Sequence, residues 1–249
     1  TDGQVAVVPI DREGPGLSVG SPTILQPDAA WSADARSRFG SGVSVVGDLF
    51  DVSTAWDRLA IYSHGPGGWS VEDVLEDSGL GSDARFARTI SLDGGGSPRI
   101  AVGSSGGWVF GAPQPGRVEV YELLGGTWTV THTIGPRDGS ALAGMSMGSH
   151  VALDGTRLVV SGHWHPVQRP DGEGTVADLR LEVHNLSTTP TFRDELSVYS
   201  ALGGVDAHPT ASMVGALDLD LAGNHVSVSA HASFGSDPAG LAAMSFDHR

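Results

Sequence analysis

Three histidines recur at one place in a repeated pattern. His64, His163 and His231 each stand five residues past an apolar strand residue, namely Leu59, Leu158 and Val226, and a fourth unit carries Ser105 at the same distance from Ile100. Imidazoles brought together at one mouth of a ring of repeats can hold a borderline or soft divalent metal such as zinc or copper, with one position left to solvent. His165 lies two residues beyond His163, so on an extended chain it projects to the same side and offers a further ligand. The competing reading is structural, with histidines at strand ends bonding loop carbonyls and filling a cup.

Other site chemistries find less support. Cysteine is absent, which removes disulfides and thiolate metal sites. No Gly-x-Ser-x-Gly elbow stands between a strand and a helix, and the glycine run Asp93-Gly94-Gly95-Gly96 falls inside a hairpin rather than before a phosphate-cradling helix. The 29 acidic residues against 14 basic ones give a formal charge of -15, which repels nucleic-acid backbones and anionic lipid. Nucleic acid is therefore not an expected partner. Membrane insertion is not expected either, since no stretch reaches the roughly 18 consecutive apolar residues of a span. A first residue of Thr1 rather than Met, together with the lack of a signal peptide, fits a processed exported protein that is periplasmic, cell-surface or secreted.

The elements that must position these residues are short strands. Glycine is the commonest residue at 36, proline adds 14, and Val, Ile and Leu fall in brief runs between turn-forming clusters, with no helical periodicity over three turns. Four hairpins repeat, beginning at Phe39-Gly40, Phe86-Ala87, Met147-Gly148 and Val214-Gly215, each an apolar residue followed by a small one. Their intervals of roughly 45 to 70 residues suit propeller blades. Further strands from Trp69, Gly116, Ala177 and Leu241 bring the units to about four strands each. The expectation is one all-β domain over residues 1–249, a propeller of four blades, or five if the terminal strands form their own sheet. Residues 1–28 would complete the last blade and close the ring, and a partial ring completed by another chain is the alternative.

The run "GRVEVYELLGGTWTVTHTIGPRDGSALAGMSMGSHVALDGTRLVVSG" from Gly116 resembles the FG-GAP repeats of integrin-like β-propellers, particularly short bacterial versions in exported proteins. The resemblance covers most of the chain in degenerate form. It implies an extracellular propeller for binding or scaffolding, often with calcium in a hairpin loop. Calcium needs several oxygen ligands at alternate loop positions. Only the first hairpin offers a set, Asp48, Asp51, Ser53 and Asp57, and a solvated acidic loop is the plainer reading.

Trp69 and Trp128 begin corresponding outer strands and are expected to pack between blades, whereas Trp108 and Trp164 lie by loops where an indole could meet a partner or stack on a sugar. Long Gly- and Pro-rich insertions follow the second strands of the second and third units and should crowd one face. The function expected is a non-catalytic binding or scaffold module for another protein or a larger assembly. A metal-bearing propeller and a carbohydrate-binding one are the alternatives.

Overall fold

The structure is a computed structural model and describes residues 3–11, 18–27, 39–53, 58–76, 85–109, 112–137, 147–168, 175–187, 191–197, 213–223, 225–233 and 241–247. Among these the chain is strand and turn, without a helix. A ribbon of β1 (Val5–Val7), β2 (Ile10–Asp11), β3 (Ser18–Val19) and β4 (Thr23–Leu25) comes first, with β2 paired to β3 inside the β1–β4 pair. The first four-stranded unit follows as a meander of β5 (Val43–Val46), β6 (Leu49–Ser53), β7 (Arg58–Gly65) and β8 (Gly68–Glu76).

In the second unit β9 (Arg85–Asp93) and β10 (Arg99–Ser105) are followed by a side hairpin, β11 (Gly107–Val109) with β12 (Ala112–Gln114). The sheet then resumes with β13 (Arg117–Leu124) and β14 (Thr127–Ile134), in the order β9-β10-β13-β14. The third unit holds β15 (Val151–Asp154), β16 (Arg157–Gln168), β17 (Thr175–Asn185) and β18 (Thr191–Ser197). The fourth holds β19 (Met213–Ala222), β20 (His225–Ser233) and β21 (Leu241–Asp247). A short parallel pairing of β17 with β19, Ala177 opposite Met213 and Asp178 opposite Val214, merges these last two units into one seven-stranded sheet.

The first three units pack face to face in chain order, and this explains the unbroken apolar runs of their middle strands. A strand covered on both faces has no reason to alternate with polar residues. Leu59 and Ile61 of β7 meet Phe86, Leu92, Ile100 and Val102 of the second unit, while Ala60 and Tyr62 on the other face meet Phe39 and Leu25. In the same way Ala101, Val118 and Val120 turn to Met147, Leu153, Leu158 and Val160 of the third unit.

The expected closure by residues 1–28 is not what the structure shows. The N-terminal strands pair with each other, and Val5, Val7 and Leu25 bury apolar surface against Ala60 and Tyr62 of the first unit rather than extending the sheet at β21.

The repeat openings do have a common structural meaning. Phe39, Phe86 and Met147 are each buried at the opening of their own unit, and the next residue takes a left-handed backbone, with φ of 84° at Gly40, 52° at Ala87 and 72° at Gly148. Phe86-Ala87 and Val214-Gly215 lie inside their first strands, β9 and β19, whereas Phe39-Gly40 and Met147-Gly148 precede theirs. Ala87 is the one non-glycine described at positive φ. Replacing it with glycine relieves roughly 1 to 2 kcal/mol of left-handed strain but removes a buried methyl group worth about 0.8 kcal/mol and frees the unfolded chain by about as much again. The Ala87→Gly variant should therefore melt within a few degrees of the parent, and a loss of several kcal/mol in a denaturant titration would contradict this cancellation.

Candidate functional site

Strand register settles which residues are equivalent. The two-residue turn after β5 pairs Val46 with Leu49 as the turn after β15 pairs Asp154 with Arg157, so Phe50 on β6, not Leu59, matches Ile100, Leu158 and Val226. Leu59 belongs to the third strand. There the units share a second pattern: Arg58-Leu59-Ala60-Ile61-Tyr62, Arg117-Val118-Glu119-Val120-Tyr121 and Arg180-Leu181-Glu182-Val183-His184. The sequence alignment slipped by one strand because β7 is buried on both faces and reads like a second strand.

The histidine ring is affected directly. His64 is exposed near the end of β7, its ring 5.0 Å from that of Trp69 and its amide bonded at 2.9 Å to the Asp48 carbonyl. His163 and His231 are on second strands, β16 and β20. His163 falls in the irregular stretch between Ser161 and Trp164, and His165 pairs through its backbone with Asp178. Two strands, β17 and β19, separate β16 from β20, so their backbones stand about 14 Å apart at the usual strand spacing. The side chains of His163, His165 and His231 lie outside the described residues. Among the described residues no group of three or more His, Asp or Glu is placed to hold a metal.

The first hairpin places the calcium candidates in a turn and a strand. Asp48 is an exposed turn residue, Asp51 is in β6 with backbone partners on both β5 and β7, Ser53 ends β6 opposite Leu59 of β7, and Asp57 lies outside the described residues. Asp51 and Ser53 thus lie in a strand, and their side chains lie outside the described residues.

The turn aspartates of the next units have a different task. Asp93 accepts the Gly155 amide at 3.1 Å while Arg99 donates to the Gly155 carbonyl at 3.1 Å. One unit later Asp154 accepts the Gly223 amide and Arg157 donates to the Gly223 carbonyl at 3.1 Å. Each Asp–Arg pair thus latches both sides of the next unit's turn glycine. A second bond ties the first strands: the Ser44 hydroxyl accepts the Leu92 amide at 3.0 Å, and the Ser91 hydroxyl accepts the Leu153 amide at 3.0 Å.

Sequence reasoning missed the buried polar rungs of the third strands. The Glu119 carboxylate takes the Arg117 guanidinium at 2.9 Å and the Tyr121 hydroxyl at 2.9 Å. In the third unit Glu182 and His184 are both buried and 3.1 Å apart, and Asp178 takes Arg180 at 2.9 Å and the Ser197 hydroxyl at 2.7 Å. A buried imidazole–carboxylate pair resembles acid–base machinery. The register gives it a plainer role, since His184 and Glu182 occupy the places of Tyr121 and Glu119 and repeat the same contact. The Arg-x-Glu-x-Tyr or His spacing was the available signal, because alternate strand residues share a face.

Both insertions become hairpin arms. The first is β11–β12, and the second is the distal part of β16–β17, from Trp164 opposite Leu179 out to Gln168 opposite Thr175. In an antiparallel meander the second-to-third connections all leave at one end, so the two arms extend from the same end of their sheets, opposite the latched turns. Trp108 is in β11 and Trp164 opens the second arm, though their side chains lie outside the described residues.

Strands, latches and arms define a repeat-built all-β protein whose successive sheets stack like propeller blades. No protein-family profile matches the chain, and no curated protein does. Solved structures similar to it include Sqt1 of Saccharomyces cerevisiae, with a TM-score of 0.40 and 8% identity over 80% of this chain and 44% of that one. AofleA from Arthrobotrys oligospora aligns with a TM-score of 0.44 and 13% identity over 91% of this chain and 59% of that one. YCF48 bound to D1 peptide aligns with a TM-score of 0.33 and 16% identity over 90% of this chain and 71% of that one. The chain thus spans 44% of the first of these proteins and 59% of the second.

Proposed function

We propose that the chain is an exported, non-catalytic binding or scaffold module, a propeller-type array of four degenerate FG-GAP-like blades that engages a protein partner through its arms. The observation that carries this reading is the pair of hairpins, both extending the second and third strands at one end of their sheets. The first is a side hairpin with its own pairing, and the second also presents Ala177 and Asp178 to β19 of the fourth unit. They offer backbone edges and two tryptophans at a site held by buried cores, which is the usual division between scaffold and contact loop. The acidic surface favours partners with basic patches.

The first arm can be removed cleanly. A Cβ on Gly106 would lie 2.6 Å from the Gly116 amide nitrogen, so the two ends of the insertion already meet. Excising Gly107–Gln114 should leave the melting temperature within a few degrees of the parent while abolishing recovery of a protein that the intact chain retains from a cell-envelope extract. Equal recovery by both forms would refute the role of the arm. A carbohydrate reading rests on Trp108 and Trp164 and would replace the protein reading if the intact chain bound a glycan array and Trp108→Ala lost that binding.

A further inference from the structure

The first strand of the first unit lacks the cover its equivalents have. Leu92, Leu153 and Leu221 are 6%, 5% and 8% exposed, whereas Val45 at the same register position is 56% exposed. Val43 and Val46 beside it are 45% and 38% exposed. In the second and third units this position is buried against the preceding sheet, and its amide is held by a serine of the preceding first strand. The ribbon covers the first unit at Ala60 and Tyr62 and leaves these valines bare.

The opposite end of the array carries part of the matching junction, with Ala222 in the place of Asp93 and Asp154. On β19, Asp220 stands where Ser44 and Ser91 stand; its exposed carboxylate takes the Leu221 amide at 2.9 Å on Oδ1 and has Oδ2 to accept an amide from a following strand. At the head of β20, exposed His225 holds the place of Arg99 and Arg157, whose guanidiniums reach the next turn glycine. The partners they would meet are the Val45 amide and the Gly47 carbonyl, the equivalents of the Leu153 amide and the Gly155 carbonyl.

We infer that the Val43–Val46 face is a docking surface for a second copy of this chain, seated head to tail through its fourth unit. The inference rests on reading the sheets as propeller blades and continues the established junction between units: apolar residues bury against the neighbouring sheet, a side-chain oxygen takes the first-strand amide, and a cationic or polar side chain takes the turn carbonyl. Such a contact is heterologous. Repeated twice about a two-fold axis it closes, and two copies bring eight units into the ring, within the usual size of propellers. Closure covers both the apolar strand and the outer side of the fourth unit.

The test is sedimentation velocity on the 249-residue chain over a dilution series, beside Val45→Asp and Asp220→Lys. The parent should sediment as a dimer at the higher concentrations. Each variant alone should associate at least about tenfold more weakly, as expected for a residue central to an interface. Both positions are exposed in the single chain, so circular dichroism of the variants should match the parent. Mixing the two variants should restore a dimer with one intact junction, because each supplies the end the other lacks. A parent that stays monomeric at every concentration overturns the inference, including when exchange protection of the Val45 amide shows that the chain's own fourth unit has closed on it. A dimer lost in Val45→Asp but kept in Asp220→Lys also overturns it, since that marks a symmetric contact. Partner capture by the arms is read separately, so either result leaves the arm reading standing or falling by itself.

Discussion

Glu119→Ala is expected to lower stability by about 3 to 5 kcal/mol, the usual cost of breaking a buried, hydrogen-bonded ion pair by removing one partner. The carboxylate is almost wholly buried between the second unit and the first and takes both the Arg117 guanidinium and the Tyr121 hydroxyl. Truncation strands a largely buried cation in a site built around that carboxylate. For a chain of this size the corresponding fall in melting temperature is roughly 10 °C. Glu119→Gln, which keeps an oxygen for Tyr121 but loses the charge, should fall between parent and Ala. Differential scanning calorimetry decides the matter. A loss under about 1 kcal/mol for Glu119→Ala would mean that the rung contributes little beyond its packing.

Gly148→Ala should cost at least about 3 kcal/mol, combining left-handed strain with backbone overlap. The residue has φ of 72°, and an added Cβ would stand 2.5 Å from the Arg117 carbonyl oxygen and 3.0 Å from the Ser104 amide nitrogen. Both are main-chain atoms of the preceding unit, so no side chain can swing aside. Ala87 at the equivalent opening already accommodates its methyl group, which makes the pair a controlled comparison: one backbone conformation, two surroundings. A chemical denaturation curve for Gly148→Ala that overlays the parent would show that the junction between the second and third units yields more readily than this close approach implies.

The all-β class, the four hairpins and the two protruding insertions were legible because each is written locally. Turn glycines, strand-length apolar runs and Gly- and Pro-rich inserts need no knowledge of partners. The apolar-small openings were legible as a pattern but not as a conformation, since Ala87 does not announce a left-handed backbone. What failed depended on choosing between two buried strands. Leu59–Tyr62 and Leu158–Ser161 are equally apolar, and only the pairing of β7 with both β6 and β8 shows that the first is a third strand. Aligning on Trp69 and Trp128, already recognised as equivalent, would have carried Arg58 onto Arg117 and Tyr62 onto Tyr121 and exposed the slip. Asp51 and Ser53 were read as loop residues by their chemistry, although Leu49–Ser53 has room for a short strand. The latches were invisible in a different way, because Asp93 and Gly155 become neighbours only when two units stack.

The latches also account for where this repeat has kept its length and where it has not. The two latched turns have two residues, between Asp154 and Arg157 and between Ala222 and His225, and so does the turn between Val46 and Leu49; the second unit's turn, whose preceding unit carries Val46 and Leu49 at the latch positions, runs five residues from Gly94 to Pro98. A longer turn at Gly155 or Gly223 would carry the glycine out of reach of its Asp–Arg pair, so the length of a latched turn is set by geometry. At the other end β11–β12 projects as a side hairpin, whereas the distal β16–β17 arm is tied to the fourth unit through the pairing of Ala177 and Asp178 with Met213 and Val214. The molecule therefore has latched turns fixed in length at one margin and, at the other, a β11–β12 arm free to drift, on which new binding specificities can be tried without renegotiating the core held by the latches.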